Sequence, residues 1–385
     1  MKASVANVVF NEFRNDARVG KISRSLAAAG GSVTVFATEG EGLPAAEERD
    51  GYRVFRPSSA SRPVSRGRRV RSAFRTCLSL LRQRTEFDVI HCNDLEPLFF
   101  AVLAKWLTRG RLKVVYDAHE LETEKHAVRG FRKLVSRWLE RWLARRVDAC
   151  VTVSPSIADW YRDAYGMDLP KVVLNCPPLR EVRETVALRR SLGIDDGVRI
   201  VLLQGGFSPG RGLPELLEAF EGETAPENCA LVFLGFGALH EAGRKLERLV
   251  VRAAEERPNV YFHPAVPQRE LLELTASADI GVCFTEDMCL SHRYSLPNKL
   301  FEYAMTSLPM VVSDLREMRR MVERYDCGVV CEHLSAAGIR AALDSLFSKD
   351  LAVLGGNARR LAEEHCWEKQ EKKLIELYQS LLKVA

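Results

Sequence analysis

Apolar positions along the chain follow two alternating periods. Short β-rich runs stand at Val5–Phe10, Ser32–Phe36, Phe87–Cys92, Lys113–Tyr116 and Asp148–Val153. Between them the spacing turns helical, over 16–29 up to Gly30-Gly31 and over roughly 94–108 and 131–146. Continuous apolar strands separated by helices predict a parallel sheet covered on both faces. The second half repeats the pattern at Arg199–Leu203, Ala230–Leu234, Asn259–Phe262, Asp279–Phe284, Met310–Ser313 and Gly328–Val330. Asn175-Cys176-Pro177-Pro178 reads as the joint, because paired prolines end a strand and suit a linker. Trp367–Val384 reads as one amphipathic helix with Leu374, Leu377, Leu381 and Leu382 on a face. The expected architecture is α/β, with two doubly wound domains over 1–178 and 179–366 facing a cleft. The helix over 367–385 is expected to cross back to the N-terminal domain. Ligands of such sheets bind beyond the carboxyl ends of the strands.

Composition narrows the class. At 46% hydrophobic and 28% charged over 385 residues, the chain carries a sizeable core, which excludes a disordered, collagen-like or disulfide-stapled protein. No apolar run reaches the roughly 18 residues of a spanning helix, and Asn7 and Asn11 interrupt any leader core, so a cytoplasmic location is expected. The ten cysteines include no CxxC pair; Cys327 and Cys331 are the nearest two, and nothing around them completes a zinc site. They read as reduced thiols packed as small hydrophobes.

Charge is unevenly spread. The net +5 divides into +11 over residues 1–180 and −6 over residues 181–385, so the first half is suited to an anionic partner. Arg62–Arg84 holds eight arginines and no acid, with Val70, Phe74, Cys77, Leu78 and Leu81 at helical spacing. Arg129–Arg146 mixes six arginines and Lys133 with Phe131, Trp138 and Trp142. Basic amphipathic helices of this kind either lie on an anionic membrane or present a solvated basic face. No nucleic-acid motif accompanies them, and no nucleic-acid partner is expected.

Two loops carry candidate chemistry. After the strand Arg199–Leu203 comes Gln204-Gly-Gly-Phe-Ser-Pro-Gly-Arg-Gly212, where Gly205 and Gly206 admit a ligand to the backbone and Arg211 adds a fixed charge. It is neither a Walker loop nor a dinucleotide fingerprint, and a plain turn is the alternative. The second is Tyr294-Ser-Leu-Pro-Asn-Lys-Leu-Phe-Glu302. Pro297 suits the first position of a helix, leaving the amides of Asn298, Lys299 and Leu300 to an anion with the Lys299 ammonium nearby. Glu302 follows one turn on, and a solvent-side Lys–Glu pair is the alternative reading.

The run LPNKLFEYAMTSLPMVVSD resembles the nucleotide-sugar signature of retaining GT-B glycosyltransferases of family four. That signature pairs a glutamate at a strand end with one in the next helix; Glu302 matches the second, which holds the nucleotide ribose, and Tyr294 stands at the first. QGGFSPGRGLPELLEAF resembles the loop that grips the donor diphosphate, with Arg211 at the usual lysine and Gly206 at the usual arginine. VVYDAHEL resembles the strand end that bears an active-site histidine, here His119, and HCNDLEPL puts Asp94 at the neighbouring strand end. NEFRNDARVGKISRSLAAAGGSVTVF resembles the opening β-α-β unit, with Asp16 and Arg18 where the acceptor loop stands.

The resemblance implies two Rossmann-like domains and transfer of a sugar from a UDP- or GDP-sugar to a glycan or lipid-linked acceptor. Bacterial cell-surface polysaccharide assembly is the implied setting, with retention at the anomeric carbon. It places His119 against the donor sugar, a general-base role being the alternative. Asp94-Leu95-Glu96 and Asp195-Asp196 are poor imitations of a metal-binding Asp-x-Asp. No metal or cofactor is therefore expected, with Arg211, Lys299 and two helix N-termini neutralising the leaving diphosphate. A nucleotide-sugar epimerase of the same shape and a non-catalytic scaffold are the rival readings. The expected location is cytoplasmic and peripheral on the inner membrane face, through Arg62–Arg84.

Overall fold

The computed structural model describes every residue except 1, 58–65, 127, 184, 223–224, 238–240 and 384–385, and of 66–69 the backbone alone. The chain forms two units, one running through Leu174 and resuming at Gln370, the other Asn175–Lys369.

The first unit opens with β1 (Ser4–Val8), α1 (Ala17–Ala28), β2 (Ser32–Phe36), β3 (Ala46–Arg49) and β4 (Tyr52–Phe55). It continues with α2 (Arg66–Gln83), β5 (Val89–Asn93), α3 (Leu98–Leu107), β6 (Lys113–Ala118), α4 (Gly130–Ala144), β7 (Ala149–Thr152), α5 (Pro155–Tyr165) and β8 (Lys171–Val172). The sheet order is β3-β4-β2-β1-β5-β6-β7-β8, parallel apart from the β3–β4 pair. That pair is a hairpin absent from the sequence-based expectation. Asp50 and Gly51 take φ of 44° and 84°, the two left-handed positions that a two-residue hairpin turn requires and that Asp-Gly supplies. Its strand Ala46-Glu-Glu-Arg49 lies at the sheet edge and is not apolar, so periodicity passes it over.

The second unit holds α6 (Ala187–Leu192), β9 (Arg199–Phe207), α7 (Leu213–Ala219), β10 (Cys229–Gly237), α8 (Glu241–Glu256), β11 (Val260–Pro264) and α9 (Gln268–Thr275). It goes on through β12 (Ile280–Cys283), α10 (Leu290–Arg293), α11 (Asn298–Met305), β13 (Met310–Ser313), α12 (Arg316–Tyr325), β14 (Gly328–Cys331), α13 (Ala336–Phe347) and α14 (Leu351–His365). Its all-parallel sheet is ordered β11-β10-β9-β12-β13-β14. The last helix, α15 (Trp367–Lys383), belongs to the first unit from Gln370 onward, and buries Leu374 and Tyr378.

The strand β9 corrects the expected boundary at Leu203. Gln204, Gly205 and Gly206 are strand residues, paired with Leu234, Gly235 and Phe236. A Cβ on Gly235 would stand 2.0 Å from the Gly205 carbonyl, so the absent side chain lets the two strands run on together. On its other side β9 meets β12 only at Val201 and Leu202. Past that point the sheet opens, and Tyr303 of α11 fills the gap. Its hydroxyl accepts from the Gln204 amide (3.2 Å) and lies 3.2 and 3.1 Å from the Leu202 and Val282 carbonyls, one of which takes its proton.

Nine of the ten cysteines are buried and Cys289 is half-buried. Burial pushes the thiols of Cys77 and Cys327 up to about 12 and those of Cys283 and Cys331 up to about 11. Among the described residues, no group of three His, Cys, Asp or Glu side chains is placed to hold a metal ion. Among them, too, no helix is long and apolar enough to cross a membrane.

Gly281 lies under the Tyr303 ring, where an added Cβ would come within 2.5–2.8 Å of three ring carbons. Gly281→Ala should therefore destabilise the second unit by about 1–3 kcal/mol, the usual cost of overpacking. Urea unfolding checks this: a midpoint equal to that of the parent would show that the ring has room to move.

Candidate functional site

Leaving aside the β3–β4 hairpin, the strand order reverses between β1 and β5 in the first sheet and between β9 and β12 in the second. The predicted site residues gather at the carboxyl ends beside those two points, where doubly wound sheets bind ligands.

In the first unit, β6 delivers Asp117 fully buried. Arg18 of α1 clamps it with two bonds, Nε to Oδ2 at 2.9 Å and Nη2 to Oδ1 at 2.7 Å, and donates Nη1 to the Val173 carbonyl at 2.8 Å. Burial alone would raise the Asp117 pKa, but Arg18 and then His119 hold it well below the usual carboxylate range. His91 Nε2 lies 3.3 Å from Asp117 Oδ2, and its Nδ1 bonds the Tyr378 hydroxyl of α15 at 2.8 Å. His119, just past β6, stands between two carboxylates. Its Nε2 is 3.4 Å from Asp117 Oδ2 and its Nδ1 3.5 Å from Asp94 Oδ2. Burial presses its pKa down, yet Asp117 and Asp94 outweigh that and raise it above the usual histidine range.

Asp94 reaches this place with φ of +65°, a left-handed conformation that Asp tolerates better than most residues. It accepts the His119 amide at 3.3 Å, and burial raises its carboxyl. Glu122, on the same loop as His119, escaped the sequence reading; burial pushes it up to about 7 against the pull of Lys125. One expectation needs correction. Arg18 is 3% exposed and all three nitrogens are committed inside the fold, so it is an interior anchor and not an acceptor contact. Asp16 is the N-cap of α1, accepting from the Val19 amide (3.1 Å) and from Asn11 (2.8 Å).

In the second unit, three segments converge. The turn after β9 passes through Gly210 and Gly212, both at positive φ. A Cβ at Gly210 would stand 2.4 Å from Met288, and one at Gly212 would crowd Leu334 and Phe284. These glycines hold the turn against the loop after β12, and the Glu286 amide bonds the Gly210 carbonyl at 2.9 Å. Arg211 between them is half-buried and donates to Thr285 Oγ1 at 2.7 Å. The half-buried Lys299 lies against Gly205, its Nζ 4.0 Å from where a Cβ would be. Burial lowers the Lys299 pKa and the Arg211 cation lowers it further, while Cys283 and Glu302 oppose them. Two half-buried cations thus act on each other with one carboxylate in reach. Such a place favours an added anion.

Glu302 is oriented by two amides, Gln204 Nε2 at 2.7 Å and Gln268 Nε2 at 3.3 Å, and Gln204 in turn accepts from Thr275 at 2.7 Å. It is not a solvent-side partner of Lys299. Gln204, a buried amide directly after the apolar run Ile200–Leu203, was the available signal. Pro297 is the N-cap of α11 and not its first helical residue, with extended backbone at ψ 143°. The Leu300 amide turns back to the Pro297 carbonyl (3.2 Å), which leaves Asn298 and Lys299 as the residues opening the helix. The other helix start, that of α7, offers less than expected, because Pro214 at its second position has no N–H. Tyr294 closes α10, its amide on the Leu290 carbonyl at 3.1 Å. Gly206 is exposed at the end of β9.

Breaking the Asp117–Arg18 pair strands a buried guanidinium, so Asp117→Asn should cost about 3–5 kcal/mol in chemical denaturation. It should also lower the His119 pKa. A histidine with a raised folded value adds stability that is complete below an unfolded pKa of about 6.5 and fades as pH climbs through the folded value; the variant should lose much of that increment. Imidazole titration by NMR reads this directly, and an unmoved His119 would show that Asp94 alone sets its charge.

The profile described as Glycosyltransferase Family 4 matches residues 17–177, and that described as Glycosyl transferases group 1 matches residues 185–364. No curated protein sequence matches the chain. Among solved structures, sucrose-phosphate synthase from Thermosynechococcus elongatus superposes with a TM-score of 0.80 at 17% identity, covering 100% of each chain. A glycosyltransferase from Rickettsia africae gives 0.73 at 14% identity, again over 100% of both. The HepE protein of Anabaena in complex with UDP-glucose gives 0.73 at 15% identity, covering 98% of this chain and 100% of its own. With a family profile on each unit and these folds beside it, the chain belongs to the GT-B glycosyltransferases of the family-four type.

Proposed function

We propose that the enzyme moves a sugar from a nucleotide-sugar donor, a UDP- or GDP-sugar, to a glycan or lipid-linked acceptor in bacterial cell-surface polysaccharide assembly. The observation that carries the donor is the Arg211–Lys299 pair, two half-buried cations that act on each other, Lys299 lying against Gly205 and Arg211 on the turn that follows β9. A diphosphate answers that charge, and the stabilisation grows as the bond to the sugar breaks and negative charge builds on the leaving group. Glu302, already aimed by Gln204 and Gln268, accepts the ribose hydroxyls. Asn298 and Lys299 at the start of α11 add backbone amides. His119, its pKa raised by Asp117 and Asp94, is assigned to the donor sugar. The HepE structure with UDP-glucose supports the donor class.

The reaction proceeds with retention and without a metal ion, Arg211 and Lys299 supplying the charge a metal would. The protein is cytoplasmic and peripheral on the inner face of the membrane, drawn there through Arg62–Arg84. Of that segment, Arg62 and the side chains of Arg66, Arg68 and Arg69 lie outside the described residues. Within α2, Arg71 and Arg75 are exposed beside Val70 and Phe74, which supports the reading.

Glu302→Ala should lower affinity for UDP or GDP at least about tenfold, since each charged hydrogen bond contributes about 1.5–3 kcal/mol. Titration calorimetry tests it, and unchanged affinity would remove the ribose assignment. Transfer should also survive EDTA. Activity lost on chelation and restored by magnesium or manganese would mean that the two cations do not suffice.

A further inference from the structure

We propose that the outer face of α4, continued by the end of α3, inserts its aromatic side chains into the headgroup region of an anionic lipid bilayer. This builds on the membrane-side reading above, but its observations concern other residues and a different mode of attachment.

An amphipathic helix on a sheet normally turns its apolar stripe inward. In α4 only Leu143 and Ala144 do so, and its larger apolar side chains point outward. Its one acid, Glu140, is fully buried and accepts hydrogen bonds from the hydroxyls of Tyr116, Tyr161 and Tyr165, each at 2.7 Å, and from Thr123 at 3.0 Å. Phe131 is 80% exposed, Leu134 65% and Trp138 65%, at spacings of three and four along one side, and Trp142 follows at 40%. At the end of α3, Trp106 is 80% exposed and Leu107 51%. The Lys105 ammonium donates to the Arg146 carbonyl at 3.0 Å, which ties the end of α3 to the end of α4 and makes the two sets neighbours. Apolar side chains exposed singly are ordinary; a connected group of this size is not.

Charge names the occupant. Arg132, Arg141, Arg145 and Arg146 are exposed among these side chains, and burial of Glu140 leaves α4 without an exposed acid. Arg146 stacks on Trp142 with its guanidinium carbon 3.9 Å from the ring centroid. Together with Trp138, Arg141 and Arg145 they line an open depression of about 630 Å³. A second copy docking through the same face would set arginine against arginine. A nucleic acid would answer the arginines but leave Phe131 and Leu134 wet. The boundary of an anionic bilayer takes both, with aromatic rings at headgroup depth and guanidinium groups on lipid phosphates.

The test uses the full chain and vesicles of phosphatidylcholine with or without phosphatidylglycerol. The parent protein should sediment with the anionic vesicles only. Its tryptophan emission should shift to the blue on binding, and brominated lipid should quench it. Replacing Trp106, Trp138 and Trp142 with serine should weaken vesicle binding by about tenfold or more, while thermal midpoint and UDP affinity stay at the parent values. Three results overturn the proposal. One is no binding to anionic vesicles at low salt. Another is salt-sensitive binding with unshifted, unquenched emission, which would assign attachment to charge on α2 alone. The third is concentration-dependent dimerisation, without vesicle binding, that the serine variant abolishes. Failure to bind UDP at all would instead count against the donor reading and leave the vesicle result standing.

Discussion

Asp117 is an ionised carboxylate with no access to water, and most of the first unit's site follows from how its charge is met. A buried charge of this kind is tolerable only with a partner in good geometry and its remaining lone pairs occupied. Arg18 supplies the partner from the first helix, His91 approaches from the adjacent strand, and Tyr378 holds His91 from the last helix of the chain. His119 takes the remaining approach, and the same carboxylate raises its pKa. One buried anion therefore joins the amino-terminal helix, the central strands and the carboxyl-terminal helix to the histidine.

The second unit solves the opposite problem. Its cations outnumber the acid beside them, Arg211 and Lys299 acting on each other with Glu302 as the one carboxylate in reach. Tyr303 makes this possible by filling the gap where β9 and β12 part, so that α11 can start at the sheet's open end and present Lys299 and Glu302 from one turn. Rigid support lies underneath, and under the proposed function the donor meets the surplus positive charge. This is the kind of preorganisation by which a leaving diphosphate is stabilised without reorganisation during the reaction.

Much of this was legible where the cause is local. Strand and helix periods, the glycine turn around Arg211 and the helix start before Glu302 are each written within about ten residues, and the chain bears them close to where expected, with β9 running on past Leu203 and Pro297 one place before the helix. Pairings across distance were not. Arg18 and Asp117 are 99 residues apart, and nothing near Arg18 distinguishes a buried anchor from a surface contact. Gln204 looked like the start of a loop because it is polar, yet it is a strand residue whose amide aims Glu302. The β3–β4 hairpin had its Asp-Gly signal in plain view, and its polar edge strand hid it. In α4 the order of residues showed a basic aromatic helix but not that Glu140 would be its inward side.

The cysteines give the fold a built-in chemical readout. Thiolate is the reactive form, and nine of the ten thiols are shielded from solvent, several held to pKa values near 11 or 12 as well. A maleimide offered to the folded chain meets Cys289 first, on the loop that leads into α10. Cys77, Cys92 and Cys150 report on the first unit, and Cys229, Cys283, Cys327 and Cys331 on the second. Each becomes alkylated only when its own unit opens. Mapping which thiols react, and in what order, would resolve whether the two units unfold together or one at a time.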